Sequence, residues 1–174
     1  MTRAYYPGCS MSGTERAYEG SLLAVSETLG TGLNELDDWN CCGASALASV
    51  DEDRAFALGA RNLALTESRV QGEAPVDPVA ARTGCYRALL EAERSMAEQQ
   101  AVANRIDGAL QAVGLRYDGR ARVRHPIDMV VNDIGLERIS RSGPRDPPGG
   151  GMKTLVTTAR AAASIRPGFK GVRT

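Results

Sequence analysis

Short extended segments alternate with helical segments over residues 1–139 of the chain. The extended segments have the length of short strands and cover 3–6, 33–38, 76–81 and 121–124. The stretches between them repeat apolar residues at the spacing of one helix face, as Tyr18, Leu22, Val25 and Leu29 do. Because strands that alternate with helices are joined by crossovers, this pattern predicts an α/β fold with a small, mainly parallel sheet flanked by helices.

Local signals predict where the helices begin and end. Ser12-Gly13-Thr14-Glu15 has the spacing of a capping box, and Gly30 can close the first helix in a left-handed conformation. Four more helices are predicted: about 51–71 with Asp51 as the N-cap, about 83–99, one that carries Val102, Ile106 and Leu110 and ends at Gly114, and a short one with Pro126 in its first turn.

Composition places the 174-residue chain among globular proteins, with 43% hydrophobic and 24% charged residues. No apolar run approaches the ~18–20 residues of a membrane span. The start of the chain also lacks the apolar region of a secretory signal, so we expect a cytoplasmic location. The 21 basic and 21 acidic side chains cancel, which argues against a nucleic-acid partner.

Residues 140–174 differ in composition from the rest of the chain. Seven of the twelve residues in 140–151 are Gly or Pro, a composition typical of a linker. The segment 140–174 also holds seven basic side chains and one acidic one. We therefore place the end of the cysteine-rich domain near residue 139 and interpret the rest as a flexible, Gly/Pro-rich basic tail. A truncated or frame-shifted gene product would have the same appearance.

Each of the four cysteines follows a predicted strand. Cys9 follows the first, the adjacent Cys41 and Cys42 follow the second, and Cys85 follows the third. Because the carboxyl ends of parallel strands share one edge of a sheet, we expect the four thiols to lie together there. Isolated cysteines in such proteins are mostly small buried hydrophobes, but two adjacent ones seldom both pack well. Without zinc-type spacing, four thiolates suit either an iron–sulfur cluster or zinc.

Four segments together resemble the first half of the B subunit of heterodisulfide reductase, of the cysteine-rich CCG-domain family. They are Tyr5-Tyr6-Pro7-Gly8-Cys9-Ser10, Asp38-Trp39-Asn40-Cys41-Cys42-Gly43, Cys85-Tyr86-Arg87-Ala88-Leu89, and the stretch from His125-Pro126 to Ile134-Gly135. The resemblance covers about residues 1–139 and depends on the combination and order of these segments.

The resemblance implies an α/β domain that binds one non-cubane [4Fe-4S] cluster through cysteines. Cys9, Cys41, Cys42 and Cys85 would be the ligands. It further implies an oxidoreductase subunit that takes electrons from iron–sulfur partner subunits and reductively cleaves a small disulfide. It assigns no catalytic residue.

The chain departs from the family pattern in two respects. The family has five ligands, and the place of the missing one holds Arg82. The family's second copy of the motif is absent. Arg82 is either a lost ligand or a counter-charge to anionic thiolates. These departures leave open a truncated or degenerate module that keeps the fold and the partner surface but holds no competent cluster. A zinc or plain thiol protein is a third hypothesis.

Two further residues have alternative interpretations. Trp39 would either shield a cluster from water or belong to the ordinary core. His125 would be an acid or a ligand, but a single histidine is more often a capping or hydrogen-bonded polar residue.

Overall fold

The computed structural model describes residues 2–11, 13–44, 46–69 and 77–142. The strands are β1 (Thr2–Tyr6), β2 (Gly32–Glu35) and β3 (Val79–Ala80). The helices are α1 (Arg16–Thr28), α2 (Ala46–Val50), α3 (Glu52–Arg69), α4 (Thr83–Glu98), α5 (Gln100–Ala112), α6 (Pro126–Met129) and α7 (Leu136–Ser142), with a π-helical segment over Val130–Ile134. The chain divides into two compact units, the first ending at Pro126 and the second beginning at Ile127.

The sheet of the first unit has three parallel strands in the order β2-β1-β3. β1 pairs with β2 from Thr2 opposite Gly32 to Tyr5 opposite Glu35, and with β3 at Tyr5 and Tyr6. Helices follow each strand, which confirms the predicted α/β class.

The predicted strand at 121–124 was wrong, because only Arg124 joins the sheet, through a single bridge to Val79. The backbone amides of the neighbouring residues donate hydrogen bonds to carboxylates instead. The amide of Ala121 donates to Glu67 Oε1 at 2.7 Å, and that of Arg122 donates to Asp77 Oδ1 at 3.3 Å. Backbone donors that bind carboxylates are not available for a strand ladder.

The core lies between the sheet and helices α3, α4 and α5. One cluster of buried residues covers the sheet and comprises Tyr6, Cys42, Leu63, Ala80, Cys85, Leu89, Ala121 and Val123. A second joins α3 to α5 and comprises Ala60, Ala64, Val102, Ile106 and Leu110. Two of the cysteines are therefore part of the principal apolar core.

Several predicted helix ends are confirmed. Asp51 caps α3, since its Oδ1 accepts the amide of Arg54 at 3.1 Å. Gly30 follows α1 with φ +70°, and Gly114 follows α5 with φ +71°. The predicted capping box was wrong: α1 begins at Arg16, and the side chain of Glu15 makes no cap hydrogen bond. The Glu15 carboxylate instead lies 3.6 Å from Arg82 Nε. Helix α2 was not predicted.

Helix α6 begins at Pro126, the last residue of the first unit, as predicted, and continues along the chain into the π-helical segment. This segment closes with the Gly135 amide donating to the Val130 carbonyl at 3.0 Å, after which α7 begins. The predicted boundary near residue 139 falls within α7, and residues 143–174 of the predicted tail lie outside the described residues. Among the described helices, none combines the length and the hydropathy that crossing a membrane requires.

Candidate functional site

The four cysteines lie on two loops and the first turn of a helix, each following a strand at the carboxyl edge of the sheet. Cys9 is in the turn after β1, Cys41 and Cys42 follow β2, and Cys85 is in the first turn of α4, after β3. They form two pairs. The Sγ atoms of Cys9 and Cys41 are 3.7 Å apart and both residues are exposed. Cys42 and Cys85 are buried, and their thiols share a hydrogen bond.

The hydrogen bond within the buried pair gives its two thiols different protonation states. Donation from Cys85 is the largest effect on Cys42 and, with the Ala44 amide, it lowers the pKa of Cys42 to about 6 against the opposing effect of burial. The same hydrogen bond, together with burial, raises the pKa of Cys85. These opposite shifts favour the thiolate form of Cys42 and the protonated form of Cys85.

The pKa of Cys41, in the exposed pair, is set by neighbouring amides and thiols in a similar way. The backbone amide of Gly43 lowers the pKa of Cys41, but burial, the hydrogen bond with Cys9 and the charge of Cys42 together raise it. The charge of Cys9 also raises the pKa of Cys85, so the two pairs share one electrostatic environment. The Cys-Cys-Gly turn thus directs two backbone amides, those of Gly43 and Ala44, at its own sulfurs.

Because Gly8 has no Cβ, the sulfur of Cys85 can lie next to its backbone. Its φ is +76°, in the left-handed region, and a Cβ added there would lie 2.6 Å from Cys85 Sγ. Any other residue at this position would strain the backbone and displace the thiol. The glycine before Cys9 is therefore part of the site.

Asn62 of α3 holds the loop that precedes the cysteine pair. Its side chain is fully buried, accepts the amide of Asn40 at 3.0 Å and donates to the carbonyl of the same residue at 3.0 Å. The Tyr6 hydroxyl donates to that carbonyl as well, at 2.8 Å. Asn40 is thus fixed from β1 and from α3, immediately before Cys41.

Arg61, the neighbour of Asn62, fixes the same loop from its exposed side. Its guanidinium donates to the carbonyl of Asp38 at 2.7 Å, to Asn40 Oδ1 at 2.9 Å and to Asp38 Oδ2 at 2.7 Å. Asp38 has φ +57°, a conformation that these bonds stabilise. Sequence reasoning missed both residues. The one available signal was a polar asparagine within the Ala- and Leu-rich stretch of α3.

The remaining predicted site residues lie around the thiols. Trp39 packs against the core that contains Cys42 and Cys85, and its ring meets that of Tyr6 edge-on at a centroid distance of 5.5 Å. The charge of Arg82 lowers the pKa of Cys85 among larger opposing effects. His125 follows Arg124, which bridges to β3, and its ring meets that of Tyr86 edge-on at a centroid distance of 5.6 Å.

The donor chemistry fits an iron–sulfur group. All four donors are thiols, the ligands that iron–sulfur clusters take, and backbone amides face two of them. Their observed arrangement is two pairs, and within the described residues no group of three or more His, Cys, Asp or Glu side chains is placed to hold a metal ion. Their role as ligands stays a prediction.

Comparison with known sequences gives matches in one family. The family model described as a cysteine-rich domain, CCG, matches residues 3–90. The chain is 32% identical to a protein of Archaeoglobus profundus described as like the B subunit of heterodisulfide reductase, over 78% of this chain and 44% of the relative. It is 34% identical to the 8-methylmenaquinol:fumarate reductase membrane anchor subunit of Wolinella succinogenes, over 75% of this chain and 44% of the relative.

A third relative is the B subunit of the ferredoxin/F420H2-dependent CoB-CoM heterodisulfide reductase of Methanosarcina acetivorans. It is 24% identical, over 77% of this chain and 43% of the relative. The chain thus spans less than half the length of these relatives. A crystal structure of a hypothetical protein from Helicobacter pylori shares the fold, with a TM-score of 0.63 at 16% identity over 74% of this chain and 25% of the other.

The family match covers just over half of the chain and includes all four cysteines. The resemblance noted in the sequence is thereby confirmed. The chain belongs to the CCG cysteine-rich domain family.

Proposed function

We propose that the chain is an iron–sulfur component of a heterodisulfide reductase-type complex, similar to the B subunit of that enzyme. Cys9, Cys41, Cys42 and Cys85 would hold one [4Fe-4S] cluster of the non-cubane type. The observation that carries this proposal is the placement of four thiols, on two loops and the first turn of α4, at one edge of the sheet in a chain of the CCG family.

The residues around the thiols prepare them for this role. The lowered pKa of Cys42 favours its thiolate form, and a thiol must lose its proton to bind a metal. The amides of Gly43 and Ala44 stabilise negative charge on the two adjacent sulfurs. Cys9 and Cys41 are exposed, so a small disulfide would approach from their side. When bound, the cluster would supply the one-electron chemistry that thiols alone lack.

The overall reaction would be the reduction of a small disulfide to two thiols by two electrons and two protons. The electrons would come from an iron–sulfur partner subunit. Because the chain spans less than half the length of its relatives, the partner complex and the complete substrate site are part of the proposal. A cytoplasmic location also stays a prediction.

The test is whether the chain reduces a disulfide once iron and sulfide have been bound to it. The protein is reconstituted anaerobically with iron and sulfide, supplied with a chemical electron donor and given a small organic disulfide. We expect continued release of two thiols per disulfide consumed, and at most one turnover by the metal-free chain without a reductant. Equal thiol release with and without bound iron would contradict the proposal.

A second candidate is a degenerate module without a competent cluster. Arg82 favours it, because the guanidinium stands at the place of the family's fifth ligand and pairs with Glu15 at 3.6 Å. Arginine carries donors only and cannot bind iron. If ligand loss limits the site, Arg82→Cys will raise the iron content of reconstituted protein and Arg82→Ser will not. An unchanged or lower iron content in Arg82→Cys would contradict ligand loss and favour a counter-charge role for Arg82.

A further inference from the structure

The two thiol pairs differ in their access to solvent. Cys9 and Cys41 are exposed, whereas Cys42 and Cys85 are buried in the core, with the backbone of Gly8 close to the Cys85 sulfur. In the metal-free chain a small molecule can therefore reach the first pair and is excluded from the second. Accessibility is a principal determinant of which thiol takes part in exchange.

The exposed pair is also placed for bond formation. Its Sγ atoms are 3.7 Å apart, and a disulfide needs them to close to about 2 Å. Cys9 lies in a turn and Cys41 in a segment without regular structure, so neither residue is part of a helix or a strand, although Asn40 beside Cys41 is held by Tyr6 and Asn62. Closure by less than 2 Å therefore needs no change in the strand pairing of the sheet.

From this geometry we propose that the metal-free chain carries out dithiol–disulfide exchange through Cys9 and Cys41. One of these thiolates attacks an external disulfide, whose S–S bond breaks to form a mixed disulfide and release one thiolate. The other protein thiolate then attacks the protein sulfur of the mixed disulfide and releases the second thiolate. The external disulfide gains two electrons, the protein pair loses two, and the two protein protons pass to the leaving thiolates.

This activity is distinct from the iron–sulfur chemistry proposed above and uses the same residues in a different state. Formation of the Cys9–Cys41 disulfide removes two of the four thiols that a cluster would need. The exchange therefore makes metal loading depend on the thiol redox state of the surroundings, and an external dithiol reverses it. Failure of the exchange would leave the iron–sulfur proposal intact.

The test uses the full-length, metal-free chain with 4,4′-dithiodipyridine as the external disulfide. Stoichiometric reagent should release two pyridinethiones per chain and leave a protein lighter by two hydrogens, with a Cys9–Cys41 bond found by peptide mapping. Circular dichroism verifies that the metal-free chain is folded. Ser10→Ala, which alters the same turn but keeps both thiols, should give the same product.

The single variants Cys9→Ser and Cys41→Ser should each stop at the mixed disulfide, detected as protein carrying one pyridine thiol. A wild-type bond that maps to Cys42 or Cys85 would overturn the proposal. Complete resolution in Cys9→Ser would overturn it as well, because Cys42 would then be the partner of Cys41. A second readout is iron uptake, which should be lost in the oxidised chain and restored by a dithiol.

Discussion

A single hydrogen bond sets the charges of the buried thiols. Because Cys85 donates to Cys42, negative charge is concentrated on the sulfur that the backbone amides of Ala44 and of Cys42 itself also approach. The pattern could not be predicted from the Cys-Cys-Gly sequence alone, since Cys85 is distant along the chain. The motif identified the sulfurs, but only the fold shows which of them pair.

The pKa of Cys42 is open to direct titration in the metal-free protein. We expect one thiolate per chain to appear, by ultraviolet absorbance, as the pH rises through about 6, well below the ordinary thiol pKa of about 9. Cys42→Ser should abolish this step. Cys85→Ala should move it to higher pH, because the hydrogen bond that lowers the pKa is lost. Absence of any thiolate below the ordinary thiol range would contradict this assignment.

A lowered folded-state pKa also affects stability. At a pH above the unfolded-state pKa of Cys42, about 9, the ionised form of this thiol stabilises the fold. This contribution is lost as the pH falls from about 9 to about 6. The raised pKa of Cys85 acts in the opposite sense. The stability that its neutral form contributes is complete below the unfolded pKa of this thiol and is lost as the pH rises above that pKa toward the raised folded one.

Gly8 gives a second test on a single residue. We expect Gly8→Ala to lose about 1–2 kcal/mol of unfolding free energy from backbone strain, and in addition to displace Cys85 and lower the iron content after reconstitution. Gly114→Ala is the matched control, because Gly114 has φ +71° with no atom within 4 Å of an added Cβ. Equal iron contents in the two variants would show that Gly8 is not part of the site. Denaturant titration and iron analysis measure the two effects.

Among the secondary-structure elements, helix α3 positions the segment between β2 and Cys41. Its Arg61 and Asn62 side chains bind the backbone of the segment between β2 and Cys41. At its other end, the buried Glu67 accepts the amides of Asp118, Arg120 and Ala121 at 2.5–2.7 Å. One helix thus holds loops on both sides of the core through polar side chains that match backbone donors and acceptors.

Asn62→Ala tests this positioning role. The substitution leaves the partly buried amide of Asn40 without its acceptor, so we expect a loss of about 1–3 kcal/mol of unfolding free energy together with a lower iron content. Asn104→Ala on α5 is the control, because Asn104 is exposed and its side chain accepts a hydrogen bond from Gln100, on the same helix, at 2.9 Å. If Asn62→Ala loses stability but loads iron like the wild type, Asn62 stabilises the core without positioning the thiols.

The sequence predicted those elements whose signals are local. Asp51, Gly30 and Gly114 mark helix ends through their own side chains or φ angles, and these predictions are confirmed. The failures depend on distant partners. Glu15 pairs with Arg82 instead of capping α1, and Glu67 takes the amide that a fourth strand would have used. Long-range polar contacts of this kind leave no periodic pattern in a sequence.

At the scale of the whole molecule, the cysteines that follow the three strands lie together at one edge of the sheet. The parallel order β2-β1-β3 brings together cysteines that are separated by as many as 76 positions in the chain, Cys9 to Cys85. This convergence followed from the predicted alternation of strands and helices. The division into two pairs, one exposed and one buried, did not, because it depends on side-chain packing around Gly8 and Tyr6.

The central claim is tested most directly by measuring iron and acid-labile sulfide per chain after anaerobic reconstitution, together with electron paramagnetic resonance of the oxidised and the reduced protein. We predict about four irons and about four sulfides per chain, as expected for one [4Fe-4S] cluster on four thiolates, and a paramagnetic signal in one of the two redox states. Negligible iron in a protein that remains folded by circular dichroism would contradict the claim and leave a CCG module whose thiols hold no cluster.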